Sequence, residues 1–223
     1  MIALTVFRVA AYIRSHRIFQ ALLLMLALVA ILYGSRAPKG AETEVLTDAA
    51  VLVIPILAWS SRSVLDTEPD QQRAMSAISV GGRLRELSAG LLAAFATSLV
   101  LIALALGWGL ALGVSTVPAP EEFAAVLTLY GLATLAGVTL GALTSRAILR
   151  SPAISIMSLL LGFLAMLMLS ASPLYWLTVP VITWMKSANS AELTARLPEL
   201  ATISLAWCLL GLGCYAWLRR TRP

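Results

Sequence analysis

Six long apolar runs divide this chain, and they restrict its possible folds more than any other feature. A helix needs about 20 mostly apolar residues to cross about 30 Å of hydrocarbon, at about 1.5 Å per residue. The runs are 19–34, 46–63, 87–114, 123–145, 152–172 and 200–218. The second is the least apolar because Asp48 and Arg62 interrupt it, and the third is long enough to tilt. The sequence therefore predicts an all-α integral membrane protein with six transmembrane helices.

Composition agrees with this prediction. Of the 223 residues, 60% are hydrophobic and only 12% are charged, which is too little polar surface to cover a soluble domain of this size. The formal charge of +5 is spread between the apolar runs and not gathered in one patch, so we expect no nucleic-acid partner.

The distribution of basic residues predicts the orientation. Lysine and arginine are enriched in the cytoplasmic segments of membrane proteins. With the N-terminus inside, twelve of the sixteen basic residues are cytoplasmic: Arg8, Arg14, Arg17, Arg62, Arg73, Arg83, Arg85, Arg146, Arg150, Arg219, Arg220 and Arg222. The outer segments are net acidic and hold only Arg36, Lys39, Lys186 and Arg196. We therefore predict a multi-pass protein of the cell (inner or plasma) membrane with both termini in the cytoplasm.

The first 17 residues are too polar to span. Their apolar residues recur on one helical face, at Ile2, Val6, Val9 and Ile13. We predict that segment 1–17 is an amphipathic helix in the inner interface, with its arginines near anionic headgroups: Arg8, Arg14 and Arg17. A cytoplasmic extension of the first span is the alternative.

The longest cytoplasmic connection, between the second and third runs, also predicts a short helix. Thr67 is a candidate N-cap, with Asp70 at the capping-box spacing. Met75 and Ile78 form a small apolar face, and Gly81–Gly82 is expected to end the helix. Such a helix between two spans can transmit force; an inert loop helix is the alternative.

This arrangement resembles the permease subunit of type-2 ABC exporters. That family has an interfacial elbow helix, six spans and a cytoplasmic coupling helix between spans two and three. In the coupling loop 62–86, residues 68–73 resemble the family's charged cluster, 75–80 its helix, and 89–92 the opening of span three. Gly81–Gly82 stands where the family has a proline. By this resemblance, 1–17 is the elbow and 18–223 the six-span domain.

The resemblance implies the partners. A separate nucleotide-binding ATPase would bind ATP and Mg²⁺, and a second permease chain, identical or homologous, would complete a pathway through the lipid bilayer. This chain would hold no cofactor or metal, and its cargo would be amphiphilic or hydrophobic. The residues expected to contact the ATPase are Glu68, Asp70, Gln71, Gln72, Arg73, Met75, Ile78 and Arg83.

Between spans five and six, segment 173–185 is apolar, contains Pro173 and Pro180, and is too short for two full crossings. It resembles the outer re-entrant segment of these permeases, where protein covers irregular backbone. Trp176 and Trp184 would then lie at the outer interface. A loop on the membrane surface is the alternative.

Small-residue pairs predict close helix packing at Gly109-x-x-x-Gly113 and Gly137-x-x-x-Gly141. Packing within one subunit is favoured over a contact between subunits.

Catalytic residues are scarce. The two lysines, Lys39 and Lys186, do not follow a glycine-rich phosphate loop, and His16 is the single histidine. Spans three to five contain no ionisable residue, which argues against proton or sodium coupling. We therefore predict a non-catalytic subunit. The alternatives are another multi-span transporter or channel component, or a haem-exporter-type subunit of cytochrome maturation.

Overall fold

The computed structural model describes residues 1–221, except for the side chain of Asp70; Arg222, counted above among the inner arginines, lies outside the described residues. The described part of the chain is all-helical, as predicted. Its α-helices are α1 Ile2–Arg14, α2 Arg17–Leu32, α3 Glu42–Leu65, α4 Asp70–Ser79, α5 Arg83–Trp108, α6 Pro120–Leu143, α7 Pro152–Ala171, α8 Val181–Asn189 and α9 Leu193–Thr221.

Five helices are long and apolar enough to cross a membrane. They are α3, α5 with its π-helical extension Gly109–Gly113, α6, α7 and α9. A sixth candidate is the pair α1 and α2, which is bent by 72°. The chain is therefore a multi-pass membrane protein with five or six candidate spans.

The bend between α1 and α2 lies at His16, whose φ of 58° is in the left-handed region. Because of this bend, α1 is not a straight extension of α2. Of the predicted apolar stripe, Ile2, Val6 and Ile13 are exposed on α1, whereas Val9 is half-buried and packs against the apolar core. This is the arrangement expected of a helix that lies flat on an apolar surface.

The bundle is built around α3 and α6, the two candidate spans most enclosed by other helices. A Cβ atom on Gly137 would lie 2.6 Å from Leu57 Cβ, and one on Gly141 would lie 2.5 Å from the Ala58 carbonyl oxygen. The second small-residue pair therefore brings α6 against the backbone of α3 within one chain. The first pair also packs internally, since Gly109 and Gly113 contact the ring of Tyr33 at the end of α2.

Substitution of Gly141 tests this packing. We expect Gly141→Ala to lower the free energy of unfolding by about 1–3 kcal/mol, because the new methyl group meets backbone that moves only with α3. Gly131→Ala on the same helix is the control. Its Cβ would meet nothing within 4 Å, so we expect no loss, or a gain of up to about 1 kcal/mol from helix propensity. Denaturant titration in micelles measures both, and equal effects would contradict the close α3–α6 contact.

Segment 173–185 forms a short 3₁₀ turn, Tyr175–Leu177, followed by the first half of α8. The Ile182 backbone N–H donates to Ser170 Oγ at 2.8 Å, which ties α8 to the end of α7. Trp176 is exposed, as expected at an interface, but Trp184 is 0% exposed and lies in the main apolar core. The predicted interfacial position of Trp184 is therefore wrong, because α8 packs against α3 and directs this ring inward.

Candidate functional site

One end of the bundle gathers α4, the first turn of α5, the loop after α6 and the last turn of α9 around a cleft of about 700 Å³. We call this the arginine-rich end. The arginines that line its cleft are Arg17, Arg73, Arg83, Arg146, Arg150, Arg219 and Arg220. The predicted coupling loop 62–86 contributes to the same cleft. The charged residues and the short helix of this loop therefore lie at the arginine-rich end.

Four charged residues form a largely buried ion cluster in the wall of this cleft: Arg8, Glu68, Glu86 and Arg219. The Arg8 guanidinium donates to Glu68 Oε2 at 2.6 Å and to Glu86 Oε1 at 2.5 Å. Arg219 Nη2 donates to the other oxygen of Glu86, Oε2, at 3.0 Å. Glu86 is only 2% exposed and Arg8 only 4%. The cluster therefore joins α1, the segment before α4, α5 and α9 through charge-assisted bonds that are shielded from water.

Gly90 makes room for the cluster. A Cβ atom at this position would overlap the Arg8 guanidinium and lie 3.2 Å from Leu65 Cδ2. Arg8 Nη1 also donates to the Glu86 carbonyl oxygen at 3.1 Å, one turn before Gly90 on α5. Helix α1 is thus fixed on α5 by a side chain that reaches into the bundle.

The predicted headgroup position of Arg8 is therefore wrong, since two carboxylates hold its side chain inside the protein. Arg14 and Arg17, the other two arginines of this prediction, are exposed.

A second set of contacts holds the base of α4. Arg73 Nη2 donates to the Leu65 carbonyl oxygen at 2.6 Å, at the end of α3, and lies 3.7 Å from Asp66 Oδ1. Asp66 Oδ1 also accepts the Arg146 backbone N–H at 2.9 Å. Burial raises the pKa of the Asp66 carboxyl, and the Arg146 N–H and the arginines around it lower the pKa only in part. Asp66 therefore links α3, α4 and the loop after α6.

Helix α4 begins later than the sequence suggested. Its N-cap is Pro69, and Thr67 Oγ1 donates back to the Ser63 carbonyl oxygen at 2.9 Å. The predicted Thr67 cap is therefore wrong, because this hydroxyl serves the last turn of α3. The end of α4 is as predicted. Gly81, with φ of 84°, donates its N–H to the Ile78 carbonyl oxygen. Gly82 donates its N–H to the Ala77 carbonyl oxygen at 2.8 Å, and the two bonds together form a Schellman motif.

The side chain of Asp70 lies outside the described part of the structure, and the other residues predicted to contact an ATPase separate into two groups. Glu68 and Arg73 are buried and bond within the chain, so they are not available as direct contacts. The exposed group lies mainly on one face of α4, which we call the α4 outer face: Gln71, Gln72, Met75 and Ile78. Met75 is 64% exposed and Ile78 83%. Arg83 is also exposed, at the start of α5.

Sequence reasoning missed Glu86 as the shared partner of Arg8 and Arg219. One signal was present, because the four acidic residues outside the predicted outer segments all fall within positions 66–86, among the inner arginines. Acidic and basic residues gathered in one short segment indicate internal ion pairs, although the partners depend on the fold.

The site consists of ion pairs that connect several helices and of one short helix, α4, with an exposed face. Among the described residues, no three histidine, cysteine, aspartate or glutamate side chains are placed to hold a metal ion. The chain matches no family profile, no curated protein and no solved structure.

Proposed function

We propose that this chain is the membrane-spanning permease subunit of an ATP-driven exporter of the type-2 ABC class. The arginine-rich end would face the cytoplasm, and the α4 outer face would bind a separate nucleotide-hydrolysing ATPase. A second permease chain would complete the pathway for an amphiphilic or hydrophobic cargo.

The observation that carries this proposal is the contrast between the two faces of α4. Its inner side is fixed to the bundle by Arg73, whereas its outer face leaves Met75 and Ile78 open to solvent. Two large apolar side chains on a short helix outside the apolar bundle favour a protein contact, because exposed apolar groups of this kind anchor interfaces.

The connections at each end of α4 support transmission of movement. Arg73 joins α4 to the end of α3, and Gly82, beyond the helix end, is the N-cap of α5. A push on α4 would therefore reach two spans directly. Through Glu68 and Glu86, the ion cluster would carry it to α1 and α9. ATP-driven closure of the ATPases would then shift the population between two arrangements of the spans.

Copurification from the native membrane tests the proposal. We expect the full chain to retain an ATP-hydrolysing subunit whose turnover rises with its cargo. A chain that purifies without any ATPase, and transports by itself in vesicles without ATP, would contradict it.

A further inference from the structure

We propose that the cleft at the arginine-rich end binds the phosphate-bearing headgroup of an anionic phospholipid from the adjoining leaflet. The inference uses the orientation given under the proposed function, but it concerns a separate ligand, and its test needs no ATPase.

The first observation is an excess of positive charge. Three carboxylates line the cleft, from Asp66, Glu68 and Glu86, and each is already within ion-pair distance of buried or half-buried arginines. Four arginines form the ion pairs with those three carboxylates: Arg8, Arg62, Arg73 and Arg219.

Five more arginines of the cleft are exposed, namely Arg17, Arg83, Arg146, Arg150 and Arg220. Within the described side chains, none of these five has a carboxylate partner in an ion pair. A concave surface with this many free guanidinium groups attracts anions, and guanidinium groups match the geometry of phosphate oxygens.

The second observation indicates that the phosphate belongs to a lipid. A smaller cleft of about 220 Å³ adjoins the first and shares Arg17, Asp66 and Arg146 with it. Six of its nine lining residues are polar or charged, and the other three are Trp59 on α3 and Pro152 and Ile156 on α7. The outward faces of α2 and α7 carry exposed apolar side chains, such as Phe19 and Met157.

The clefts and the apolar faces beside them together fit one amphiphile. The headgroup lies among the arginines, and its acyl chains lie outside the clefts against the exposed apolar side chains of α2 and α7. A soluble phosphate uses only the clefts.

Arg146 and Arg150 are the residues whose substitution tests the inference. Both lie in the loop that follows α6, and Arg146 uses its backbone N–H to bond Asp66, which leaves its guanidinium exposed. Each arginine near an anionic lipid surface contributes about fivefold to binding, so removing two should cost about 25-fold.

The test measures lipid selectivity in nanodiscs that contain phosphatidylglycerol and phosphatidylcholine. We expect the full chain to enrich phosphatidylglycerol around itself, as counted by native mass spectrometry of the retained lipids. The double variant R146Q/R150Q should lose this selectivity by about 25-fold. The matched control R36Q/K39Q removes the same charge from exposed positions in the connection between α2 and α3, and should leave selectivity unchanged.

Two competitors distinguish the source of the phosphate. If phosphatidylglycerol is the ligand, glycerol phosphate and inorganic phosphate should displace it only at far higher concentration. Displacement by inorganic phosphate at equal concentration would overturn the lipid assignment. Equal retention of both lipids by the unaltered chain would overturn it too, as would equal losses in the two double variants. If ATPase retention alone falls in R146Q/R150Q, the cleft binds protein and the lipid inference fails while the proposed function stands.

Discussion

Replacing Glu86 with glutamine should lower the free energy of unfolding by about 3–5 kcal/mol, the usual cost of removing one partner from a buried ion pair. Glu86 is 2% exposed and binds two guanidinium groups, one through each carboxylate oxygen. In Glu86→Gln, Arg8 keeps Glu68, but Arg219 loses its carboxylate. The variant therefore leaves buried positive charge without full compensation. Denaturant titration in micelles measures the change.

A matched control separates this effect from the loss of one negative charge. Glu121→Gln removes an exposed carboxylate from the first turn of α6, and we expect a cost below about 1 kcal/mol. The double variant E86Q/R219Q should recover part of the stability lost in Glu86→Gln, since it also removes the guanidinium left unpaired. A Glu86→Gln protein as stable as the Glu121→Gln control would contradict the ion cluster.

The double variant M75D/I78D should reduce ATPase retention by at least about tenfold, because two carboxylates would enter an apolar contact that excludes water. Both positions are exposed, so the fold should lose no more than about 1 kcal/mol for the two substitutions together. Copurification of the ATPase, followed by its ATP turnover in the presence of the permease, measures the loss.

The control keeps the apolar character of the α4 outer face. M75L/I78L changes the same two positions and should retain the ATPase. Normal ATPase retention in M75D/I78D would remove the main support for the proposed function.

Arg73→Glu is expected to act differently. The Arg73 side chain bonds the end of α3. The substitution should therefore lower the free energy of unfolding as well as the coupling of the permease to the ATPase.

Much of the fold was predictable because membrane spans depend on local composition. The helices α3, α5, α6, α7 and α9 each cover most or all of one predicted apolar run. Their polar ends were less predictable. Helix α3 begins at Glu42, four residues before its run, since intrahelical bonds satisfy the backbone whether or not the side chain is apolar. The predicted end of α4 was confirmed because Gly81–Gly82 determines it locally.

The candidate site was less predictable because it depends on contacts between distant segments. The stripe from Ile2 to Ile13 predicted a helix, and α1 covers these residues, yet the same helix carries Arg8 into a cluster with Glu86, 78 residues later. Helical spacing gives the direction of a side chain but not its partner. Trp184 was misplaced for a similar reason. Its segment has the composition of an interface, but α8 folds back against α3.

The most direct test of the proposed function is site-specific cross-linking from the α4 outer face. The native cysteines Cys208 and Cys214 are replaced with alanine, and Ile78→Cys is introduced, with Val117→Cys, an exposed position between α5 and α6, as the control. In native membranes, position 78 should cross-link to an ATP-hydrolysing protein, with a yield that changes when ATP is added. Position 117 should not. If position 78 instead reacts with reagents confined to the cell exterior, or forms no adduct with an ATPase, the proposed role of α4 is contradicted.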